Sequence, residues 1–364
     1  MNKDKNNLLT SNQVTLTLVG YTIGIGILGL PDSLVKDAHQ DAWISAALGV
    51  IYPLYLSLLA IYISNNHPKE NILVLSQKYC GKFIGSVLNF GFLIFFAFYL
   101  VFTASGAANI FRVYVLEFLS PFKVISSFFL IAGYAAFKGL KVLGRINEIT
   151  FYILLPLILT SLAVFKKGTI ENLLPIFQSG ALNILKSTKQ SMFSYSGAEA
   201  IFLIYPFIND SKKVKSSVFK FVLITVIIYT YVTFITLYYL GPDIVPKSIW
   251  SFTIAIESFV LPVITNFRFI FAFIWTGIAL RLSANYYYAT VFILKALLKR
   301  GSRKRLIIFI YPIIVISALK LSNETKRRDF LDLVVPKITI FSVAYISLIA
   351  LLVLFKRMRE NEEK

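Results

Sequence analysis

The stretch 14–35 is apolar almost throughout, yet carries Gly24, Gly26, Gly29 and Pro31 near its middle. As a helix rising 1.5 Å per residue, a run of roughly 20 apolar residues crosses the roughly 30 Å hydrocarbon core of a bilayer. Glycine inside such a helix costs roughly 1 kcal/mol relative to alanine, so GIGILGLP permits the helix to break. Unpaired backbone groups in hydrocarbon cost several kcal/mol each, so a break is tolerated only where protein or a water-filled cavity surrounds it. On its own residues the stretch supports two readings equally. It is a broken helix beside a polar cavity, or a small-residue face on which neighbouring helices pack closely.

Similar apolar runs recur along the 364 residues, at roughly 13–36, 42–63, 84–118, 122–137, 148–165, 187–208, 217–240, 263–295, 305–319 and 335–355. With 57% hydrophobic and 15% charged residues and a mean hydropathy of +0.72, the chain has more apolar surface than a water-soluble domain can hide. The predicted class is an all-α polytopic membrane protein with ten transmembrane helices. The first run is too long for a signal-peptide core and reads as a retained span. Ten spans place both termini on one side. The loops of that side (HPKE, KGLKVLGR, NDSKKVKSS, KRGSRKR) and the KRMR tail hold most of the lysines and arginines, which predicts cytoplasmic termini. One basic segment, KLSNETKRRDF at 320–330, falls on the other side.

The net charge of +19 therefore marks topology and contact with anionic lipid headgroups, not nucleic acid. The single Cys80 excludes an internal disulfide, and two histidines leave little for a metal site. No Ser/His/Asp grouping, phosphate loop or dinucleotide fingerprint is present, so no enzyme, metal or cofactor is predicted. The stretch 71–82 reads as a weakly amphipathic segment along the interface. The stretch 241–262 reads as a re-entrant or surface helix over an outer vestibule.

The second half of the chain favours the broken-helix reading. In QSMFSYSGAEAIFLIYPF, Ser194, Ser196 and Gly197 interrupt the sixth apolar run and Glu199 follows. The interruption lies in the same place of the second five-span unit as Gly24–Gly26 in the first, and each is followed by a proline, Pro31 and Pro206. Units of five spans must be inverted relative to each other, so the repeats are read at approximately 13–165 and 187–355. Paired breaks in corresponding halves point to a binding site at mid-membrane. The half-helix starting near Gly26 offers free N–H groups to a carboxylate. Carbonyls freed at the other break could accept an ammonium or a cation, so a zwitterionic amino acid suits the pair. Glu199 could bind a ligand amine, take up a proton, or hold the break by accepting its orphan N–H groups.

Several stretches also look familiar. GYTIGIGILGLPDSLVKDAHQDAW, with its QDAW at 40–43, resembles the first span and loop of the spore germination receptor B-subunit family, the permease-like subunits of GerA-type nutrient receptors. NLLPIF (172–177), SYSGAEAIFLIYPFI (194–208) and SANYYYAT (283–290) follow in the order that family shows. The resemblance implies the amino acid–polyamine–organocation superfamily, a leucine-transporter-like fold and the spore inner membrane. It further implies a germinant, often an amino acid, bound within a complex with A and C subunits. It places the ligand site on spans one, three, six and eight: Gly24, Ile25 and Gly26; Tyr99 and Val101; Tyr195, Ser196, Gly197 and Glu199; Ser283 and Tyr287. Three consecutive tyrosines cannot share one face of a helix, and Tyr287 is the one placed beside Ser283. Span five lacks the lysine that stands in for sodium in some proton-coupled relatives. An ordinary amino-acid permease remains the alternative.

Four further polar residues complete the reading. Arg268 and Arg281 in span eight could snorkel to opposite interfaces or pair internally. Arg112 and Glu117 could pair with each other. Asp41 reads as an N-cap of span two, and Glu148 as a charge in the first turn of span five.

Overall fold

The computed structural model describes residues 8–114, 118–258 and 267–362. Among the described residues the regular structure is helical, apart from one isolated bridge between Leu9 and Ile208. Six helical stretches are long and apolar enough to cross a bilayer: Ile25–Asn66, Ile72–Val113, Leu140–Lys166, Ser211–Leu240, Phe269–Leu298 and Glu324–Glu360.

The first apolar run is two helices, α1 (Ser11–Thr22) and α2 (Leu30–Ala38), joined by an irregular Ile23–Gly24 step and a 3₁₀ turn, Ile25–Gly29. α1 begins at a capping box. Thr10 Oγ1 accepts from Gln13 N and the Gln13 side chain accepts from Thr10 N, so two orphan donors are satisfied reciprocally. Pro31 sits in the first turn of α2, where no N–H is needed. Next come α3 (Ala42–Leu48) and α4 (Ile51–Asn66), then α5 (Ile72–Tyr114), kinked at Gly81, whose φ of 80° suits glycine. The 71–82 stretch thus does more than lie on the interface. Ile72, Leu73 and Leu75 are buried, and Asn89 is bonded to Ser76, to the Leu73 carbonyl and to Tyr345.

α6 (Pro121–Lys138) turns through Gly139, at φ 101°, into α7 (Leu140–Leu159). The sixth run is again split, into α8 (Ala181–Ser194) and, beyond an irregular step, a 3₁₀ turn and the short α9 (Ile201–Ile204). α10 (Val214–Leu240) is continuous, and α11 (Ser251–Glu257) lies in the 241–262 connection. With Ser251, Phe252, Ala255 and Ile256 buried, α11 packs against α10, α12 and the 3₁₀ turn of the first break; residues 259–262 lie outside the described part. α12 (Phe267–Leu298), α13 (Arg303–Lys320) and α14 (Glu324–Glu362) complete the chain. α1 packs on α7, α10 and α12, and α2 packs on α8, so both split helices are enclosed by the others.

Asp41 stands at the N-cap position of α3, as read from the sequence, but its side chain makes no capping bond. Its carboxylate accepts from Phe177 N at 2.7 Å and from Ser179 N and Oγ at 3.0 and 2.6 Å. Gln40 beside it donates to the Pro175 carbonyl and to Gln178. QDAW therefore clamps the NLLPIF connection 135 or more residues away. Asp41 is fully buried, and its removal takes the acceptor from three donors of the partly exposed 177–179 connection. Asp41→Ala is expected to destabilise the protein by about 2 kcal/mol, read as a lower melting temperature of the purified protein.

Candidate functional site

At the first break the last α-helical bond is donated by Ile23 N to Val19 O, at 2.8 Å, and the carbonyls of Tyr21, Thr22 and Ile23 lose their helical partners. Each is met by a side chain. Tyr286 Oη donates to Tyr21 O at 3.0 Å, and Arg281 Nη2 donates to Ile23 O at 2.6 Å. Tyr229 Oη lies 2.9 Å from both Thr22 O and Ser194 O, so one hydroxyl from α10 serves both breaks. One of the carbonyls freed at the second break, that of Ser194, is thus already partnered.

The second break turns on Gly197, at φ 118°. A Cβ there would lie 2.4 Å from Tyr21 O and 3.0 Å from Tyr286 Oη. The two breaks therefore touch backbone to backbone, and only glycine permits the approach. Glu199 is fully buried. Its Oε2 accepts from Gly197 N at 2.7 Å; its Oε1 accepts from Tyr52 Oη and from Ser342 Oγ. Of the roles open to Glu199 in the sequence, the geometry displays the one that holds the break, and it extends that role by fastening α4 and α14 to the same point.

A cavity of about 470 Å³ reaches from the two breaks to the face where α2 ends and α14 begins. Gly24, Ile25, Gly26, Tyr99 and Ser196 line it. Tyr99 Oη and Ser196 Oγ lie buried just behind this wall and near one another, with no hydrogen bond of good geometry. Gly26 opens onto space: a Cβ there would meet nothing within 4 Å.

Six of the residues placed in the site do not line this cavity. Gly197 and Glu199 form its support. Tyr195 is buried, donating to Ala46 O at 3.1 Å with its ring edge-on to Tyr229. Val101 is half-buried off the cavity. Ser283 is buried elsewhere, and Tyr287 donates to Ile307 O on α13 at 2.7 Å. The face of α12 that meets the cavity is one residue earlier in register, Leu282 and Tyr286, four apart. Tyr99 and Tyr286 stack, with ring centroids 5.5 Å apart.

The tenth-span region contributes what the sequence reading did not assign. Glu324, Arg327 and Arg328, at the start of α14, line the mouth. Glu324 accepts from Asn109 Nδ2 at 2.9 Å and Arg327 Nε at 2.8 Å. Arg328 Nη2 donates to Ile249 O, and its Nη1 lies 3.7 Å from Asp32 on α2. The Arg327 guanidinium lies 4.3 Å from the Phe102 ring centroid. The signal was present in KLSNETKRRDF, the basic segment that did not fit the charge bias read from the sequence: these arginines are held at the mouth by Glu324 and Asp32. Arg112 donates to Leu119 O at 3.0 Å; Glu117 lies outside the described residues, as does the Arg268 side chain. Glu148 accepts from Asn12 and Gln13, so it anchors the start of α1.

This arrangement of helices matches known transporter architecture. The chain is similar to MhsT, a structure solved in complex with L-phenylalanine, with a TM-score of 0.65, 14% identity, and coverage of 95% of this chain and 88% of that one. Its fold is of the leucine-transporter type, in which a cavity lies against broken helices. The family model described as spore germination protein matches residues 8–327. Relatives include GerQB of Bacillus cereus, 28% identical over 262 residues and 72% of each chain, and YndE of Bacillus subtilis (strain 168), 26% identical over 215 residues and 58% of each. Spore germination protein A2 of Bacillus subtilis (strain 168) is 27% identical over 263 residues, 70% of each chain. The chain belongs to the spore germination protein family, that of the germination receptor B subunits. It is an integral membrane protein with a permease-like fold and a role in germination.

Proposed function

We propose that this chain is the germinant-sensing subunit of a spore nutrient receptor. It binds a small nutrient, an amino acid, in the cavity between the breaks and signals through A and C subunits in the spore inner membrane. The single observation that carries the reading is the cavity of about 470 Å³ that ends on both breaks in a chain of this family. The ligand carboxylate is placed against the N-terminal end of the half-helix that starts at Ile25, where backbone dipoles favour negative charge. Gly24, Ile25, Gly26, Tyr99 and Ser196 form the wall. Glu199, Gly197 and Tyr195 hold the second break in place behind them. The chain is read as ten spans in two inverted repeats, approximately 13–165 and 187–355, with both termini in the cytoplasm.

Occupancy can act as a signal only if the ligand binds two conformations with different affinity. Here the outer mouth is framed by α2, α5 and α14, which are joined by Glu324, Arg327, Arg328 and Asp32. A ligand that draws these elements together alters the surface presented to partner subunits. A second reading, an amino-acid permease working by alternating access, fits the same fold. The family match over residues 8–327 is what favours sensing. At its packing point on α12, α7 carries a neutral pair: Asn147 and Asn285 exchange hydrogen bonds at 3.0 and 2.8 Å.

Deleting the gene should leave spores unresponsive to one amino-acid germinant while uptake by vegetative cells is unchanged. Robust uptake of labelled amino acids by the purified chain alone in liposomes would establish the permease reading instead.

A further inference from the structure

The buried Arg281 on α12 raises a separate question. It is 2% exposed and, among the described residues, has no carboxylate within ion-pair distance. Nη2 donates to the Ile23 carbonyl, while Nε and Nη1 make no hydrogen bond. An unpaired charge in a membrane interior is costly and usually marks function. Its one partner lies where α1 ends. That end carries the negative pole of the half-helix dipole and, with Tyr21, Thr22 and Ile23, three carbonyls released by the break. In broken-helix membrane proteins such carbonyls and half-helix C-terminal ends coordinate an inorganic cation. A guanidinium placed there has the same sign of charge, donates directly into a carbonyl, and does not lose its proton in proteins.

We propose that Arg281 is the resident cation of the helix-one break: its guanidinium holds the freed carbonyl end of α1, and the break therefore needs no sodium or potassium ion to keep its shape. The neighbouring contacts fit a fixed, built-in device. Leu282, next in sequence, packs on Gly24 so closely that a Cβ there would lie 2.0 Å from Leu282 Cδ2. Tyr286, one turn further on, donates to the Tyr21 carbonyl. α12 thus presses three contacts onto the break within little more than one turn, and only one of them is charged. The inference stands whether the cavity senses or transports, and whichever nutrient it takes.

The test is the melting temperature of the purified full chain in detergent, in sodium, potassium and choline chloride at equal ionic strength. Wild-type protein should melt at the same temperature in all three. Arg281→Lys, which keeps a charge at the site, should melt near wild type and remain indifferent to the salt. Arg281→Ala should melt several degrees lower and recover part of that loss with methylguanidinium at concentrations far below denaturing, but not with choline. A purely packing role would leave Arg281→Ala insensitive to methylguanidinium, and that result overturns the proposal. So does a wild-type protein, or an Arg281→Lys variant, stabilised by sodium or potassium over choline. If Arg281→Ala does not accumulate, the wild-type and Arg281→Lys salt series still decide.

Discussion

Gly26→Leu should abolish the germination response while the protein folds and reaches the membrane, whereas Gly197→Ala should unseat the fold. The two glycines look alike in sequence, each beside an interruption of an apolar run. Their surroundings differ. A side chain at position 26 enters open space, with nothing within 4 Å of its Cβ, and a leucine there fills volume that a ligand would use. Gly26 is also absent from the positive-φ residues, so its backbone accepts a side chain without strain. At position 197 the backbone is at φ 118° and the new Cβ meets the Tyr21 carbonyl at 2.4 Å, inside contact distance with main chain that cannot rotate away. Strain at such a φ costs on the order of 1–3 kcal/mol and overpacking a similar amount. A loss of about 3 kcal/mol or more is expected, against a marginal total stability. The measurements are melting temperature of the purified variants and germination of spores that carry them. A Gly26→Leu variant that still responds normally would remove the cavity from the mechanism.

The second large effect is expected at Glu199. Glu199→Ala strips the acceptor from Gly197 N, Tyr52 Oη and Ser342 Oγ at once, all in a fully buried setting. Buried donors left unpaired cost roughly 1–3 kcal/mol each, so a loss of about 4 kcal/mol is expected, with separation of α4 and α14 from the second break. Glu199→Gln keeps one oxygen for the two hydroxyls but turns an amide N–H toward Gly197 N. It should lose about half as much. The ordering wild type, Gln, Ala in melting temperature checks the role. Equal stability of all three would show that Glu199 does not fasten the break.

The membrane class and the two interruptions were legible in the residues because both are local. Hydropathy over a run sets whether a helix suits lipid, and Gly24, Gly26 and Gly197 with Pro31 and Pro206 set where a helix can part. Register on α12 was not legible in the same way. SANYYYAT offers three tyrosines a hundred degrees apart, and which one meets the cavity depends on how α12 rotates against α5, α6 and α13. The structure selects Tyr286 for the cavity and sends Tyr287 to the Ile307 carbonyl. Asp41 reads locally as a cap, but three donors from the 175–180 connection compete for it and win.

Residue order by itself determined that this chain lives in a membrane, that two of its helices come apart, and where. It did so because transfer energies and backbone propensities belong to short segments. Only the tertiary structure decided what satisfies the parted ends: Tyr229, Arg281 and Tyr286 arrive from helices some 200 residues or more away to cap the carbonyls of α1, and Glu199 gathers Tyr52 and Ser342. The physical reason is that a buried polar group must find a partner wherever packing brings one, and no local rule specifies which distant side chain that will be.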